Sequence, residues 1–231
     1  MDKGGQIRVL VVSALGAGGV STLMTNLQAL MDREKINFDY LVFHRERPYR
    51  ADLVEGMGSR IYVASADEVK IQALRRIVRM RRIQKICREN RIQILHYNAD
   101  FAADLTNIIA ARAGGVKYVV MHAHNTNFTV PGKGVQIASW LMKPFLPLFV
   151  DYFWACSDLA ARFVFPKRVI KSRRYAMLPN GIDLKRYAFC PEKRSAVRRE
   201  QNAEGKFVIG HAGRFVEQKN HVYLLEIFAE I

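Results

Sequence analysis

The chain has 231 residues, half of them hydrophobic, with thirteen Phe and nine Tyr, a composition that supports a packed core and excludes a disordered chain. Thirty-six Lys and Arg against twenty-one Asp and Glu give a formal charge of +15, which indicates a polyanionic partner such as nucleic acid, anionic lipid or a nucleotide diphosphate. The three cysteines, Cys87, Cys156 and Cys190, form no CxxC pair. A disulfide framework and a structural zinc site are therefore disfavoured, and a reducing cytosol fits.

The amino terminus imitates a secretory signal, with a basic head, a short apolar run and small residues. The run passes directly into GGVSTLMTNLQALM, whose apolar residues recur at helical spacing, so the sequence predicts a strand followed by a helix. The sequence has no run of eighteen apolar residues, and no transmembrane helix is predicted.

Short apolar runs alternate with longer amphipathic stretches along the whole chain. Strands are predicted at 7–14, 38–44, 59–64, 92–98, 117–125, 152–157, 174–180 and 206–213, and helices at 20–33, 67–90, 101–113, 135–149, 158–164 and 191–202. This alternation predicts an α/β fold with a Rossmann-like, doubly wound parallel sheet. Ligands of such sheets bind at the carboxyl ends of the strands, so the loops that follow the strands are the candidate sites.

The glycine loop LGAGGVSTL (15–23) follows the first strand and opens a helix, so its backbone amides are available to an anion. Gly18 and Gly19 would let a phosphate or sugar approach the backbone. The loop is a poor dinucleotide fingerprint, because Ser21 stands where a third glycine belongs, and a poor P-loop, because no Lys follows the glycines. A purely structural tight turn is the remaining alternative.

The predicted helix 67–90 carries apolar residues at every third position, a row that winds around a helix instead of forming one stripe. We therefore expect a break or tight turn inside it. Its eight Lys and Arg, together with Arg91 just beyond it, form either a solvated face or a contact with an anionic membrane.

A second amphipathic stretch, 132–154, combines aromatic residues with Lys143 and two prolines. It either dips into a bilayer interface or packs on the sheet, and packing is the favoured alternative.

The turn PNGID (179–183) marks a domain boundary. We predict a first domain over 1–183, a linker over 184–205, and the first strand and helix of a second Rossmann-like domain over 206–231. In that second part, Arg214 follows the predicted strand and Lys219 lies near the start of the helix HVYLLEIFAEI, where two cations suit a diphosphate.

Taken together, GGV after the first strand, HAHN on a mid-chain strand, PNGID and GRFVEQKNH resemble, in order and spacing, family 4 of the retaining glycosyltransferases, which have the GT-B fold. The resemblance runs from about Ile7 to the last residue. It implies that the N-terminal domain takes the acceptor and the C-terminal domain takes the sugar nucleotide.

By the same resemblance, the amides of Gly18 and Gly19 approach the donor's phosphate, Arg214 and Lys219 bind its diphosphate, and His124 of HAHN reaches the donor sugar. His122 competes with His124 for that role, and a structural histidine is the alternative for either. The donor substrate is a nucleotide-diphosphate sugar, and neither a cofactor nor a metal is implied.

The family's second domain carries two glutamates, eight positions apart, that this sequence does not reach. We therefore expect a fragment, truncated early in the second domain and inactive alone. The predicted reaction is retaining sugar transfer to a saccharide or polyprenyl-linked acceptor in bacterial capsule, exopolysaccharide or O-antigen synthesis. The predicted location is the cytoplasm, including the inner face of the cell membrane.

Three other functions stay open at this stage. A nucleic-acid-binding module would account for the charge of +15, but the sequence shows no recognised reader motif and no aromatics interleaved with the arginines. A degenerate P-loop or dehydrogenase-type enzyme is disfavoured by the missing Lys and Gly of the glycine loop. A folded acceptor domain without activity is the third.

Overall fold

The computed structural model describes residues 6–128, 132–213 and 215–230. The chain divides into two compact units, Met1–Ile182 and Asp183–Ile231. The strands of the first unit are β1 (Ile7–Val12), β2 (Ile36–Val42), β3 (Ile61–Val63), β4 (Ile94–Ala99), β5 (Tyr118–Ala123), β6 (Tyr152–Ala155) and β7 (Ala176–Met177).

All seven strands form one parallel sheet in the order β3-β2-β1-β4-β5-β6-β7. From β1 the chain builds outward through β2 to β3, then returns to place β4 on the other side of β1. The strand order thus reverses between β1 and β4, where doubly wound sheets form a ligand crevice. The predicted α/β, Rossmann-like fold class is confirmed.

Helices connect the strands on both faces of the sheet. They are α1 (Gly19–Leu30), α2 (Ala51–Gly56), α3 (Gln72–Glu89), α4 (Leu105–Ala113), α5 (Lys133–Met142), α6 (Asp158–Val164) and α7 (Lys167–Lys171), with 3₁₀ turns at Ala102–Asp104 and Lys143–Leu148. The sequence did not predict α2 and α7, which are too short to show a period. Across the described ranges, no helix has the length and apolar character that crossing a bilayer requires.

The segment 67–90 contains a turn at Asp67 and Glu68, as one alternative of the prediction has it, but no break inside the helix that follows. α3 starts only at Gln72 and then runs unbroken for 18 residues. Its second half packs on the core through buried Ile83 and Cys87, whereas Leu74 and Ile77 in its first half are exposed. The winding apolar row needs no kink, because the first half of the helix does not pack against the core.

Two apolar layers cover the sheet. On one face, alternate residues of the central strands pack under α3 and α4, among them Leu10, Leu95, Met121 and Phe153. On the other face, Val11, Phe38 and Tyr40 pack against α1 and α2. The register continues this second face from Val11 across β4, β5 and β6, where its residues are His96, Asn98, His122 and Trp154.

The second unit contains α8 (Pro191–Glu200), a 3₁₀ turn at Glu217–Lys219 and α9 (His221–Ala229). The strand predicted at 206–213 does not form, because these residues have no hydrogen-bonded neighbour strand within the described chain. Its apolar side chains are exposed, including Phe207 and Val208.

Gly114 provides a test of the packing between α3 and α4. A Cβ built at Gly114 would lie 2.7 Å from the carbonyl oxygen of Gln84 and 2.7 Å from Cβ of Cys87. Gly114→Ala should therefore lower the free energy of unfolding by about 1–3 kcal/mol, as overpacked cores do. Gly56→Ala is the control, because no atom lies within 4 Å of its built Cβ. Equal stability of the two variants in urea unfolding would contradict this packing.

Candidate active site at the carboxyl edge of the sheet

The loop between β1 and α1 is anchored at its start and open at its tip. Buried Leu15 adopts a left-handed backbone (φ 50°), and its amide donates to Oγ of Ser13 at 3.3 Å. Gly18 and Gly19 are exposed, and a Cβ built at either meets no atom within 4 Å. Among the described residues, the space next to both glycines is therefore open.

The amino terminus of α1 faces this open tip. No side chain caps the helix at Gly18, and its first turn contains no acidic residue. The first intrahelical bond runs from the amide of Thr22 to the carbonyl of Gly18 at 3.0 Å, so earlier amides of the turn lack intrahelical acceptors. Together with the helix dipole, these amides favour an anion.

Arg50 holds the glycine loop from the adjoining segment before α2. Its backbone amide donates to the carbonyl of Leu15 at 3.0 Å, and its Nε donates to the carbonyl of Gly16 at 3.1 Å. Its Nη2 donates to Oγ1 of Thr22 at 2.7 Å, which ties the loop to α1. The sequence analysis missed Arg50, since nothing local in the sequence links it to a loop 34 positions away.

Asn98, at the end of β4, joins the glycine-loop strand to the histidine loop. Its Nδ2 donates to the carbonyl of Val12 at 2.9 Å, and its Oδ1 lies 2.9 Å from Nε2 of His124. Because Oδ1 can only accept, His124 must carry its proton on Nε2. Burial lowers the pKa of His124 to about 4, so the ring is neutral near pH 7.

His124 is half-buried just past β5, and its Nδ1 is buried without a hydrogen-bond partner within the described ranges. Nδ1 therefore holds a lone pair while Nε2 is engaged by Asn98. Because burial lowers the pKa of His124 to about 4, the buried Nδ1 is a weak base near pH 7, and the ring suits contact with a ligand better than general-base chemistry.

His122 lies behind His124 and is fully buried. Its Nδ1 lies 3.3 Å from Nε2 of His96, and its ring centroid is 4.1 Å from that of His124. Burial lowers the pKa of His96 to about 3 and that of His122 still further. His122 is thus placed to support His124 from below, and a ligand at the sheet edge meets His124 first.

Two carboxylates follow β4 at the same edge. Asp100 is exposed and accepts from Nδ2 of Asn125 at 2.9 Å. Asp104 Oδ2 accepts the amides of Asp100 and Phe101 at 3.0 and 3.2 Å, and burial raises its pKa to about 7. These acids were also missed, although loops that follow strands are the candidate sites in the sequence, and NADF (98–101) is one of them. In the described ranges, no three His, Cys, Asp or Glu side chains group in a way that could hold a metal ion.

Lys219 belongs to the second unit, in the 3₁₀ turn before α9. A Cβ built at Gly213 would lie 3.4 Å from Cγ and Cδ of Lys219, so the lysine stem packs beside Gly213. Asn220 caps α9 in a left-handed conformation (φ 45°), its side chain accepting from the amide of Tyr223. Arg214 lies outside the described residues.

The Asn98 bridge predicts the protonation state of His124. In ¹⁵N NMR spectra at pH 7, His124 should be the neutral Nε2–H tautomer. Asn98→Asp should raise the pKa of His124 above about 4, because a carboxylate beside Nε2–H favours the imidazolium. Asn98→Leu is the matched variant, similar in size but without polar atoms, and should lose the tautomer preference. An Nδ1–H or cationic His124 in the unsubstituted protein would refute the bridge.

Comparison with known proteins agrees with this architecture. Residues 17–186 match the family model described as Glycosyltransferase Family 4. EpsF of Bacillus subtilis (strain 168), which is named as a glycosyltransferase, is 30% identical over 233 residues, covering 98% of this chain and 59% of EpsF.

Two solved structures are similar in fold. HepE from Anabaena, in complex with UDP-glucose, has a TM-score of 0.68 at 17% identity, covering 96% of this chain and 57% of HepE. The lipopolysaccharide outer core galactosyltransferase WaaB has a TM-score of 0.56 at 15% identity, covering 77% of this chain and 46% of WaaB. The chain thus spans less than two thirds of each relative. The family predicted from the sequence is confirmed, and this chain belongs to glycosyltransferase family 4.

Proposed function

We propose that the protein transfers a sugar from a nucleotide-diphosphate sugar to an acceptor hydroxyl. The observation that carries the proposal is the open, amide-lined glycine loop, which Asn98 ties to His124 at one edge of the sheet. Family membership supports it, as do the name of EpsF and the structures of HepE with UDP-glucose and with UDP and glucose.

Departure of the nucleotide diphosphate is the step that needs most stabilisation, since negative charge develops on the leaving oxygen. The proposed stabilising groups are the amides of Gly18 and Gly19, the positive end of α1, and the cations of Arg214 and Lys219. These donors supply the stabilisation without a metal. The two cations belong to the second unit.

His124 would contact the donor sugar at the reaction centre, and we propose that the anomeric configuration is retained. A neutral imidazole can lie beside the oxocarbenium-like sugar of the transition state without the repulsion that an imidazolium would cause. The depressed pKa of His124, caused by burial, supports that neutral state.

The acceptor we propose is a saccharide, in particular a polyprenyl-linked one, in capsule, exopolysaccharide or O-antigen synthesis in the bacterial cytoplasm. WaaB acts in lipopolysaccharide outer core synthesis by its name, which supports an envelope saccharide as acceptor. Such an acceptor would bring the protein to the inner face of the cell membrane.

The glycine loop can be tested by binding alone. We expect UDP-glucose and inorganic pyrophosphate to shift the backbone amide resonances of residues 16–21. Gly19→Val should lower the affinity for both ligands, read from these shifts, roughly tenfold or more. The melting temperature should not change, because the Cβ of the new side chain has open space. Gly56→Val, equally open but remote in α2, is the control. Unchanged binding by Gly19→Val would remove the loop from the donor site.

Transfer itself tests the role of His124. In the full-length protein, His124→Ala should leave the affinity for the sugar nucleotide intact and lower the transfer rate roughly 100-fold or more, as expected for a contact made mainly in the transition state. The measurement is radiolabel transfer from a panel of sugar nucleotides to lipid and saccharide acceptors. An unchanged rate would eliminate His124, and absence of transfer from every donor would argue against the proposed function.

A further inference from the structure

α5 and the 3₁₀ helix that follows it present a continuous apolar surface to solvent. We call it the α5 stripe; it consists of Ile137, Trp140, Leu141, Phe145 and Leu148, all exposed, with Trp140 74% exposed and Leu148 69% exposed. The first three recur at i, i+3 and i+4 on α5, and the last two are one 3₁₀ turn apart. The stripe is larger than the isolated apolar side chains that ordinary surfaces expose.

α5 exposes large apolar side chains that an ordinary amphipathic helix would bury. Its inward side is held by buried Ser139, whose Oγ accepts from the amide of Ala103 at 3.3 Å. Met142 and Leu146 complete the inward side, on the core under α4 and α6. Because the core contact uses these residues, the favoured sequence prediction, packing of the amphipathic face on the sheet, does not account for the stripe.

Cations border the stripe. Residues 132–174 contain eight Lys and Arg but only Asp151 and Asp158 as acids. Asp151 forms an ion pair with Arg112, and Asp158 accepts from the hydroxyl of Tyr175. With eight cations against two acids, the segment carries a net positive charge.

The bordering cations are attached directly to the stripe. Nζ of Lys143 donates to the carbonyls of Arg162 and Phe163, at 2.8 and 2.7 Å, which joins the 3₁₀ helix to the end of α6. Arg168 on α7 donates to the carbonyl of Pro144 at 2.7 Å. The exposed cations of α6 and α7 thus lie beside the apolar residues.

We propose that the α5 stripe docks on an anionic phospholipid bilayer. Apolar and aromatic side chains bordered by lysine and arginine fit the interfacial region, where Trp lies at the headgroups and cations meet lipid phosphates. Charge complementarity favours this occupant over a protein partner. The inference stands on exposed side chains and does not depend on the identity of the acceptor, although it would place a lipid-linked acceptor near the site.

Vesicle flotation tests the docking. The protein should float with phosphatidylcholine–phosphatidylglycerol vesicles and much less with phosphatidylcholine alone, and salt should weaken this binding without abolishing it. The double variant Trp140→Ser, Leu141→Ser should lower the partition roughly tenfold or more. Both positions are exposed, so the melting temperature should not change.

The matched control is Leu74→Ser, Ile77→Ser, which removes two exposed apolar residues from the basic helix α3. It should bind vesicles like the unsubstituted protein. If the control variant lost binding while the stripe variant kept it, α3 would be the docking surface and the proposal would be overturned. A change in oligomeric state of the stripe variant without lipid would also overturn it, since the stripe would then join two copies of the chain.

Fluorescence gives a site-specific readout, because the chain has only two tryptophans, Trp140 and half-buried Trp154. Anionic vesicles should shift the emission of Trp140 to the blue, and bromine-labelled lipids should quench it. Trp140→Phe keeps an aromatic ring in the stripe, so it should still float while losing the spectral change. An unshifted Trp140 in protein that has floated would place the contact elsewhere.

Discussion

The side chain of Asn98 is the contact on which the candidate site depends. In a parallel sheet, every carboxyl end lies on one edge, but neighbouring loops need not have a fixed geometry. Asn98 fixes it, since one amide donates to β1 at Val12 and accepts from His124 beyond β5, across the point where strand order reverses. The glycine loop and the histidine loop are therefore held at a defined separation. The nitrogen of the Asn98 amide can only donate and its oxygen can only accept, so the two hydrogen bonds cannot exchange partners.

Burial then divides the site into a neutral part and a positive part. His96, His122 and His124 all have depressed pKa values because burial disfavours the imidazolium, so the β4–β5 part carries no cation near neutral pH. Positive potential comes instead from the uncapped amides of α1 and from Arg50 beneath the glycine loop. The glycine loop thus offers hydrogen-bond donors and positive potential, whereas the histidine loop presents an uncharged ring.

Local patterns in the sequence predicted much of this arrangement. The apolar runs were enough to predict the parallel sheet, and the glycine loop to propose its carboxyl edge as the candidate site, because buried strands and helix starts have local signatures. Arg50, Asn98 and Asp104 had no such signature, because their roles arise from contacts between distant segments. The errors have the same origin. α3 is unbroken because the apolar residues of its first half need not pack on the core. Residues 206–213 form no strand because they lack a neighbouring strand within the described chain.

The structure also shows where the large positive charge lies, which composition alone could not show. On α3, Arg82 pairs with Glu68, Lys85 lies near Glu89, and the guanidinium of Arg79 covers the ring of Phe43, so part of its charge serves the helix itself. Around the α5 stripe, eight Lys and Arg face only two acids, and a larger set of apolar residues is exposed than on α3. Charge without apolar surface attracts any polyanion, whereas the two together favour a bilayer. Since the Ala103–Ser139 hydrogen bond attaches α5 to the turn after β4, a surface that binds lipid would be mechanically joined to the edge that carries His124.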